Sequence, residues 1–357
     1  MRTLATSPDN FEPILHLSGD GKVLAGVTVG SEKTVWVWDV PTGKEWARIP
    51  ADPEFALCLA ISPDNQFLAV AEGTCLRPDS RVLHAHIRLC DTATGKEVRH
   101  FGDTLRGYSS AAFSADGQTL ATADEENVIR LWETATGGER LRLAGHAGPV
   151  GGLLFAENDR TLLSTSTDTT ALAWDLTGLR GRTQAADGKR PVRDLQGLWK
   201  VLADPDAAAA YRAIWAMTAA PRETVAFLRE RPRRVEPPEE KEVARWLRDL
   251  DSPDFVTRQQ ASEELAKFGG LVEPALRKAL SGQPSLETRR RIQQLLEQLA
   301  GGPSGAELRM LRAVEVLEHI GTPEARALLE SLAGGATGAR LTRTAEVALR
   351  RLDASRR

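Results

Sequence analysis

Two hydrophobic periods divide the chain. In the first half the hydrophobic period is two, and turn residues such as Gly, Asn, Asp and Pro separate short strand-like runs, among them 119–122 and 161–164. Alternation with a period of two predicts β-strands, and the bounding residues favour tight turns. From about residue 194 the apolar residues recur every three to four positions, which predicts helices. The sequence therefore predicts a β-rich half followed by an α-helical half.

One short phrase occurs four times in the β-rich half. It reads Val-Trp-Asp at 37–39, Leu-Cys-Asp at 89–91, Leu-Trp-Glu at 131–133 and Ala-Trp-Asp at 173–175. Its middle residues lie at 38, 90, 132 and 174, so the steps between copies are 52, 42 and 42 residues. A turn phrase that contains Asp or Asn precedes each copy. A repeat of this length indicates stacked or radial units, each of about four short strands.

Because the phrases recur in the same order, residues 1–178 resemble the WD40 repeat family. The resemblance implies four propeller blades, which are fewer than most closed β-propellers have. We therefore expect an incomplete or open propeller. An unrelated antiparallel β-sandwich is the alternative, although a sandwich need not repeat its sequence. The whole chain resembles bacterial WD-repeat proteins, whose propellers often follow a signalling domain in one chain.

The last repeat matches the family best. It opens with Gly145 and His146, and in the family a His, a turn Asp, a strand Ser or Thr and the Trp form a buried network. The resemblance therefore implies a structural tetrad of His146, Asp168, Ser164 and Trp174. Ser, His and Asp together can also form a nucleophilic set, but the resemblance favours the structural use.

The second and third repeats depart from this pattern. Cys90 replaces the Trp in the second repeat, whereas Tyr108 and Glu126 replace the His and the Asp in the third. We expect weaker networks in both blades.

The second repeat is also about ten residues longer, with the insertion near residues 72–86 between its two inner strands. In the family this loop lies on the face most often used for partners. The candidate partner-binding residues are Leu76, Arg77, Arg81, His84 and His86. Cys75 and the two histidines could also bind a metal, but their spacing matches no established pattern. A solvated surface loop is the remaining alternative, and we predict no metal site.

The helical half begins with three predicted helices near 194–203, 205–218 and 221–230. The Arg- and Pro-rich stretch at 231–238 cannot be helical throughout, so we interpret it as a linker. Beyond it, a Ser-Pro pair at 252–253 and a Thr-Pro pair at 322–323 predict helix starts, each with a capping hydroxyl before Pro.

An Ala-x3-Leu-x2-apolar pattern at 261–268, 313–320 and 345–352 places a small residue and larger ones on one helix face. This pattern resembles HEAT-like repeats, in which helix pairs stack into a solenoid. A generic helical bundle is the alternative. The predicted fold class is thus multidomain β + α: four WD40-type blades over 1–178, a connecting segment over 179–238, and an all-α, HEAT-like array over 239–357.

Charge and cysteine content bear on the expected partners and on the cellular location. Residues 1–178 carry 15 Lys or Arg and 24 Asp or Glu, a net charge of −9, and the remaining 31 and 25 give +6. Acids are interleaved with the basic residues on most predicted helices, which argues against nucleic-acid binding. The three cysteines form no CxxC pair, and no long apolar run predicts a membrane span. We expect a cytoplasmic protein.

The chemistry-bearing motifs give the functional expectation. We find no P-loop, GxGxxG after a strand, HExxH, GxSxG or kinase signature. We therefore predict no catalytic residue, cofactor or metal, and expect a non-enzymatic scaffold or sensing module for protein partners. Self-association through the open propeller edge is a further expectation. The alternatives are a regulatory fragment of a larger signalling protein whose N-terminal part is missing, an accessory enzyme and a nucleic-acid-binding protein.

Overall fold

The computed structural model describes residues 11–28, 33–51, 55–75, 85–104, 107–178, 194–231, 234–282, 284–300, 302–303 and 305–354. Its contacts divide the chain into two units. The first comprises Met1–Lys189 and Pro205–Arg212, and the second comprises Arg190–Asp204 and Ala213–Arg357.

The described part of the first unit contains fifteen strands in four antiparallel sheets, which we call blades 1 to 4. Blades 1 to 3 have four strands each, β1–β4, β5–β8 and β9–β12, whereas blade 4 has three, β13–β15. Within each blade the strands lie in sequence order. The strands are β1 Phe11–Leu17, β2 Val23–Thr28, β3 Lys33–Asp39, β4 Lys44–Ala51, β5 Phe55–Ile61, β6 Phe67–Cys75, β7 Ala85–Asp91, β8 Glu97–Thr104, β9 Tyr108–Phe113, β10 Thr119–Asp124, β11 Val128–Glu133, β12 Glu139–Ala144, β13 Val150–Ala156, β14 Thr161–Ser166 and β15 Ala171–Asp175.

The repeated turn phrase joins the first two strands of a blade. Its Ser hydroxyl accepts a hydrogen bond from the backbone N–H five residues later, as Ser62 does from Phe67 and Ser114 from Thr119, both at 2.9 Å. The turn then needs a residue with positive φ, which Asn65 and Gly117 supply. The phrase therefore sets the register of the hairpin.

Three hydrophobic clusters join the blades face to face. We call the face of a blade that lies against the preceding blade its front face, and the opposite one its rear face. The clusters pair Ala25 and Val37 with Leu59 and Leu68, Ala69 and Leu89 with Leu120 and Trp132, and Ala121 and Leu131 with Leu153 and Leu162. Each cluster thus combines the rear face of one blade with the front face of the next. The four blades form an open arc, which confirms the expected open propeller.

Ten helices follow in the described residues. They are α1 Leu195–Val201, α2 Ala207–Thr218, α3 Pro221–Leu228, α4 Glu240–Asp249, α5 Phe255–Lys267, α6 Glu273–Ser281, α7 Leu286–Ala300, α8 Gly305–Ile320, α9 Pro323–Ala333 and α10 Arg340–Ala354. In the second unit they build two cores. One joins α4–α7 around Trp246 and Leu265, and the other joins α1–α3 with α8–α10 around Ile214 and Leu317. None of the described helices combines the length and apolarity that crossing a membrane requires.

The two helix starts predicted from Ser-Pro and Thr-Pro pairs differ in outcome. Thr322 caps α9, and its hydroxyl accepts from the N–H of Ala325 at 3.3 Å, which confirms that prediction. The Ser252 cap was wrong, because α5 begins at Phe255 and Asp254 is its N-cap. The Asp254 carboxylate accepts from the N–H of Thr257 at 2.9 Å, a bond that Ser252 is too far upstream to make.

Candidate functional site

Four side chains of blade 4 form a hydrogen-bonded chain. The indole Nε1 of Trp174, on β15, donates to the Oγ of Ser164, on β14, at 2.8 Å. That Oγ lies 2.7 Å from Nε2 of His146, which precedes β13. The other ring nitrogen, Nδ1, lies 3.1 Å from Oδ2 of Asp168 in the β14–β15 turn. These are the four residues of the predicted tetrad.

The donor and acceptor capacities of the four side chains determine the direction of each hydrogen bond. An indole N–H can only donate, so the Ser164 oxygen accepts from Trp174 and its own proton is free to point to His146 Nε2. Nε2 then accepts, and the proton of the neutral imidazole is on Nδ1, where it faces Asp168. Every bond runs in the same direction, and such chains reinforce one another in a medium of low polarity.

Asp168 receives several further donors. Its carboxylate accepts from the hydroxyl of Thr170 at 2.6 Å and from the backbone N–H of Ala147 at 2.7 Å. Hydrogen bonds from the Thr170 hydroxyl, from the backbone N–H groups of Ala147 and Thr170, and from His146 hold the pKa of the Asp168 carboxyl well below its usual range. An ionised Asp168 therefore connects the segment before β13 to the β14–β15 turn.

Gly145 makes room for the indole. A Cβ at this position would lie 2.9 Å from Cη2 of Trp174, which is closer than van der Waals contact permits. This explains the Gly-His pair that opens the last repeat: the glycine lets the backbone approach the Trp174 ring, while His146 bonds to its hydroxyl partner. The ring of His146 also meets Trp174 edge to face, with centroids 6.1 Å apart.

The Ser-His-Asp distances resemble those of a nucleophilic set, but the surroundings differ. Ser164 is buried, and its oxygen already accepts the indole proton of Trp174. A nucleophilic serine needs access to substrate and donors placed where an oxyanion develops. The polar atoms of the set instead bond to one another, to Trp174, to Thr170 and to the backbone of Ala147.

Blade 3 has a Trp–hydroxyl pair like that of blade 4 and an additional carboxylate beside its turn. Trp132 donates to the hydroxyl of Thr122 at 2.8 Å, as Trp174 does to Ser164. Glu126, at the position of Asp168, lies in the β10–β11 turn. Asp124, the last residue of β10, accepts at Oδ1 from the N–H groups of Glu126 and Val128 at 3.0 Å each, and its position matches that of Ser166 at the end of β14.

Blade 2 replaces the hydrogen-bonded pair by an apolar one. Cys90 occupies the Trp position and Val70 the Ser position, and both side chains are fully buried in the cluster between blades 1 and 2. Burial raises the pKa of the Cys90 thiol to about 11, so it remains a neutral, apolar group. Removing both partners together leaves no buried donor or acceptor from this pair.

The predicted partner-binding loop lies largely outside the described residues, which exclude Leu76, Arg77, Arg81 and His84. His86 is described, and it lies on strand β7 rather than in the loop, because β6 extends to Cys75 and β7 begins at Ala85. Its ring meets that of His100 on β8 edge to face, with centroids 6.3 Å apart.

A second surface was not predicted. Phe255 and Val256, at the start of α5, and Leu286, at the start of α7, are all exposed. The guanidinium carbons of Arg258 and Arg291 each lie 5.8 Å from the centre of the Phe255 ring. We call these five residues the α5–α7 patch. No pattern in the sequence indicates that Phe255 lies beside these two arginines.

The WD40 family profile, described as "WD domain, G-beta repeat", matches residues 95–133 and 137–175. The first match contains β8–β11 and the second contains β12–β15. Each repeat thus begins with the outer strand of one blade and ends with the third strand of the next. The sequence repeat and the sheet are therefore offset by one strand.

Curated relatives match over part of the chain. Target of rapamycin complex subunit wat1 of Schizosaccharomyces pombe is 29% identical over 152 residues, which are 42% of this chain and 45% of that protein. Pre-mRNA-processing factor 19 of Oryza sativa is 39% identical over 92 residues, 25% of this chain and 17% of that protein. Nuclear distribution protein PAC1 of Arthroderma otae is 26% identical over 163 residues, 42% of this chain and 35% of that protein.

The chain thus spans less than half the length of each of these three relatives. All three are eukaryotic, so the expected resemblance to bacterial WD-repeat proteins is not supported. Residues 95–133 and 137–175 are WD40 repeats, in a chain whose four described blades are followed by helices.

Proposed function

We propose that this chain is a non-enzymatic scaffold that binds protein partners, and that its helical unit holds a partner segment at the α5–α7 patch. WD40 proteins generally bind protein partners, which supports the first part of the proposal. The observation that carries the second part is an exposed aromatic ring whose centre lies 5.8 Å from the guanidinium carbons of Arg258 and Arg291.

The ring and its neighbours are fixed before any partner arrives. Asp254 caps α5 and thereby holds Phe255 at the first position of the helix. Arg258 donates to the carbonyl oxygens of Ser252 and Pro253 at 2.7 and 2.9 Å, and Arg291 pairs with Glu287 at 2.7 Å. An anchor that is already ordered loses little conformational freedom on binding.

The chemistry of the patch suggests the kind of partner. Phe255 is 61% exposed and Leu286 is 85% exposed, so both can bury apolar area. Arg258 and Arg291 lie near the ring and share one acidic partner, Glu287, at 3.8 and 2.7 Å, so this group of three charges keeps a net positive charge that attracts carboxylates. Aromatic and Arg residues are enriched among those that dominate binding energy. We propose a protein segment with an apolar side chain next to Asp or Glu.

The arrangement of the helices supports a HEAT-like reading of this part of the chain. Helix α4 contacts α5 and α6, and α5 contacts α7, as expected when two antiparallel pairs stack. The proposal extends to a cytoplasmic location, for which the support is the cysteine pattern of the sequence. It also retains the 76–84 loop as a second contact surface, on the strength of the sequence resemblance alone.

The tetrad of blade 4 has a structural role in this proposal. His146, Ser164, Asp168 and Trp174 hold the segment before β13 against the β14–β15 hairpin, through the bonds described above. A buried and satisfied polar network rigidifies the element that contains it.

Site-specific photo-crosslinking tests the partner surface. A benzophenone side chain at Val256 should give a discrete adduct in cells, and the adduct should disappear when Phe255→Asp is added. The matched control carries the same probe at Gln260, an exposed position on the same helix. Identical adducts from both positions, or an adduct that survives Phe255→Asp, would contradict the proposal.

A further inference from the structure

Three times in this chain the rear face of one blade packs against the front face of the next. In an open arc of four blades, two faces have no neighbouring blade: the front face of blade 1 and the rear face of blade 4. Equivalent positions can be compared with their buried counterparts, because the strand register fixes the alignment of the blades.

The rear face of blade 4 exposes apolar side chains. Leu163 pairs with Ala173, just before Trp174, as Ala121 pairs with Leu131 in blade 3. Ala121 and Leu131 are both fully buried against blade 4, whereas Leu163 is 39% exposed and Ala173 is exposed as well. Leu154, opposite Leu163 on β13, is 62% exposed.

The front face of blade 1 is exposed in the same way. Leu15 pairs with Gly26 as Leu59 of blade 2 pairs with Val70, and Leu17 corresponds to Ile61. Leu59 and Ile61 are buried against blade 1, but Leu15 is 62% exposed and Leu17 is 54% exposed. Two exposed apolar faces of complementary type therefore lie on one chain.

We infer that a second copy of this chain closes the arc, with the rear face of blade 4 of each copy packed on the front face of blade 1 of the other. The occupant follows from continuity: the contact needed is the one that the chain already makes between its own blades. A head-to-tail contact closes into a ring when its rotation permits, and two copies of four blades would form a ring of eight. The sequence predicted self-association through the open propeller edge, and the exposed leucines lie on the sheet faces at the two ends of the arc.

Polar contacts show that the existing blade junctions are specific. The side chain of Asn65 in blade 2 donates to Asp20 of blade 1 at 2.9 Å. The carboxylate of Asp159 in blade 4 accepts from the N–H groups of Ala115 and Asp116 of blade 3 at 2.8 and 3.0 Å. Hydrogen bonds between these turns thus fix the position of one blade on the next. The turns of blades 1 and 4 also lie beside the two exposed faces of the arc.

The mass of the full chain in solution tests the inference, which goes beyond the proposed function and does not depend on it. Sedimentation should give a dimer of about 78 kDa, twice the chain mass of 38.8 kDa. Leu163→Asp and Leu15→Asp should each weaken the dimer, so that the mass falls toward 38.8 kDa under dilution. Val98→Asp is the matched control, since Val98 is an exposed side chain on outer strand β8, and it should leave the dimer intact.

Mixing the two face variants tests the head-to-tail geometry. The Leu163→Asp variant keeps an unaltered front face on blade 1, and the Leu15→Asp variant keeps an unaltered rear face on blade 4. An equimolar mixture of the two should therefore form heterodimers through one unaltered contact. A contact between two like faces would not be restored by mixing. A monomeric wild-type chain would overturn the inference, because its faces would then stay open or be covered within one chain. An unlimited polymer, or a Leu15→Asp variant as dimeric as wild type, would also overturn it.

Discussion

Ser164 is the residue of blade 4 whose replacement should lower the stability of the fold most directly. Replacing it by Ala removes the acceptor of the Trp174 indole proton and the donor to His146 Nε2. A buried polar group without a partner costs about 1–3 kcal/mol. His146 is buried and Trp174 is only partly buried, so Trp174 belongs at the lower end of that range. We expect Ser164→Ala to lower the free energy of unfolding by about 2–4 kcal/mol.

Urea denaturation followed by circular dichroism measures this loss. Lys96→Ala is the control, because the Lys96 side chain is exposed in the turn before β8, away from the tetrad and from both end faces of the arc. It should change the free energy of unfolding by about 0.5 kcal/mol or less. If Ser164→Ala were no more destabilising than Lys96→Ala, the hydrogen-bonded chain would not stabilise the blade.

Three further substitutions probe the same unit. Gly145→Ala places a Cβ 2.9 Å from Trp174 Cη2 and should cost about 1–3 kcal/mol of unfolding free energy in urea titrations; an unchanged midpoint would contradict this. The folded-state pKa of Asp168 is lowered, so its stabilising contribution should be present above about pH 4 and be lost as the pH falls further. The stability difference between wild type and Asp168→Asn should therefore shrink in acid, whereas a constant difference would refute the assignment. Glu133→Gln breaks a buried 3.0 Å ion pair with Arg140 and should cost about 3–5 kcal/mol in thermal or urea unfolding; a loss below about 1 kcal/mol would show that the pair is not buried in solution.

Periodicity predicted the elements that repeat. The helix predicted at 205–218 is observed as Ala207–Thr218, and the Trp and Ser positions of blade 4 followed from copies of one phrase at fixed spacing. Only one of the two apolar replacements in blade 2 was evident from the sequence. Cys90 was noted in the sequence, but its partner Val70 becomes evident once the register places the two residues in adjacent strands.

Choices between neighbouring side chains of similar chemistry could not be predicted. The repeat placed Glu126 at the position of Asp168, but it did not reveal that Asp124, two residues earlier, accepts from the N–H groups of Glu126 and Val128. Ser252 and Asp254 are both good helix caps, and the path of the chain selects Asp254. The exposure of Phe255 depends on packing between α5 and α7, and no local pattern reports that packing.

If the Ser164, His146 and Asp168 set serves only the fold, the Ser164 hydroxyl is not an activated nucleophile. A fluorophosphonate probe, which reacts covalently with activated serine nucleophiles, tests this when the mass of the intact chain is measured after exposure. The mass of the folded protein should not change, because Ser164 is buried and already bonded to Trp174 and His146. A stoichiometric adduct located at Ser164 would show an activated nucleophile and would contradict a purely structural role.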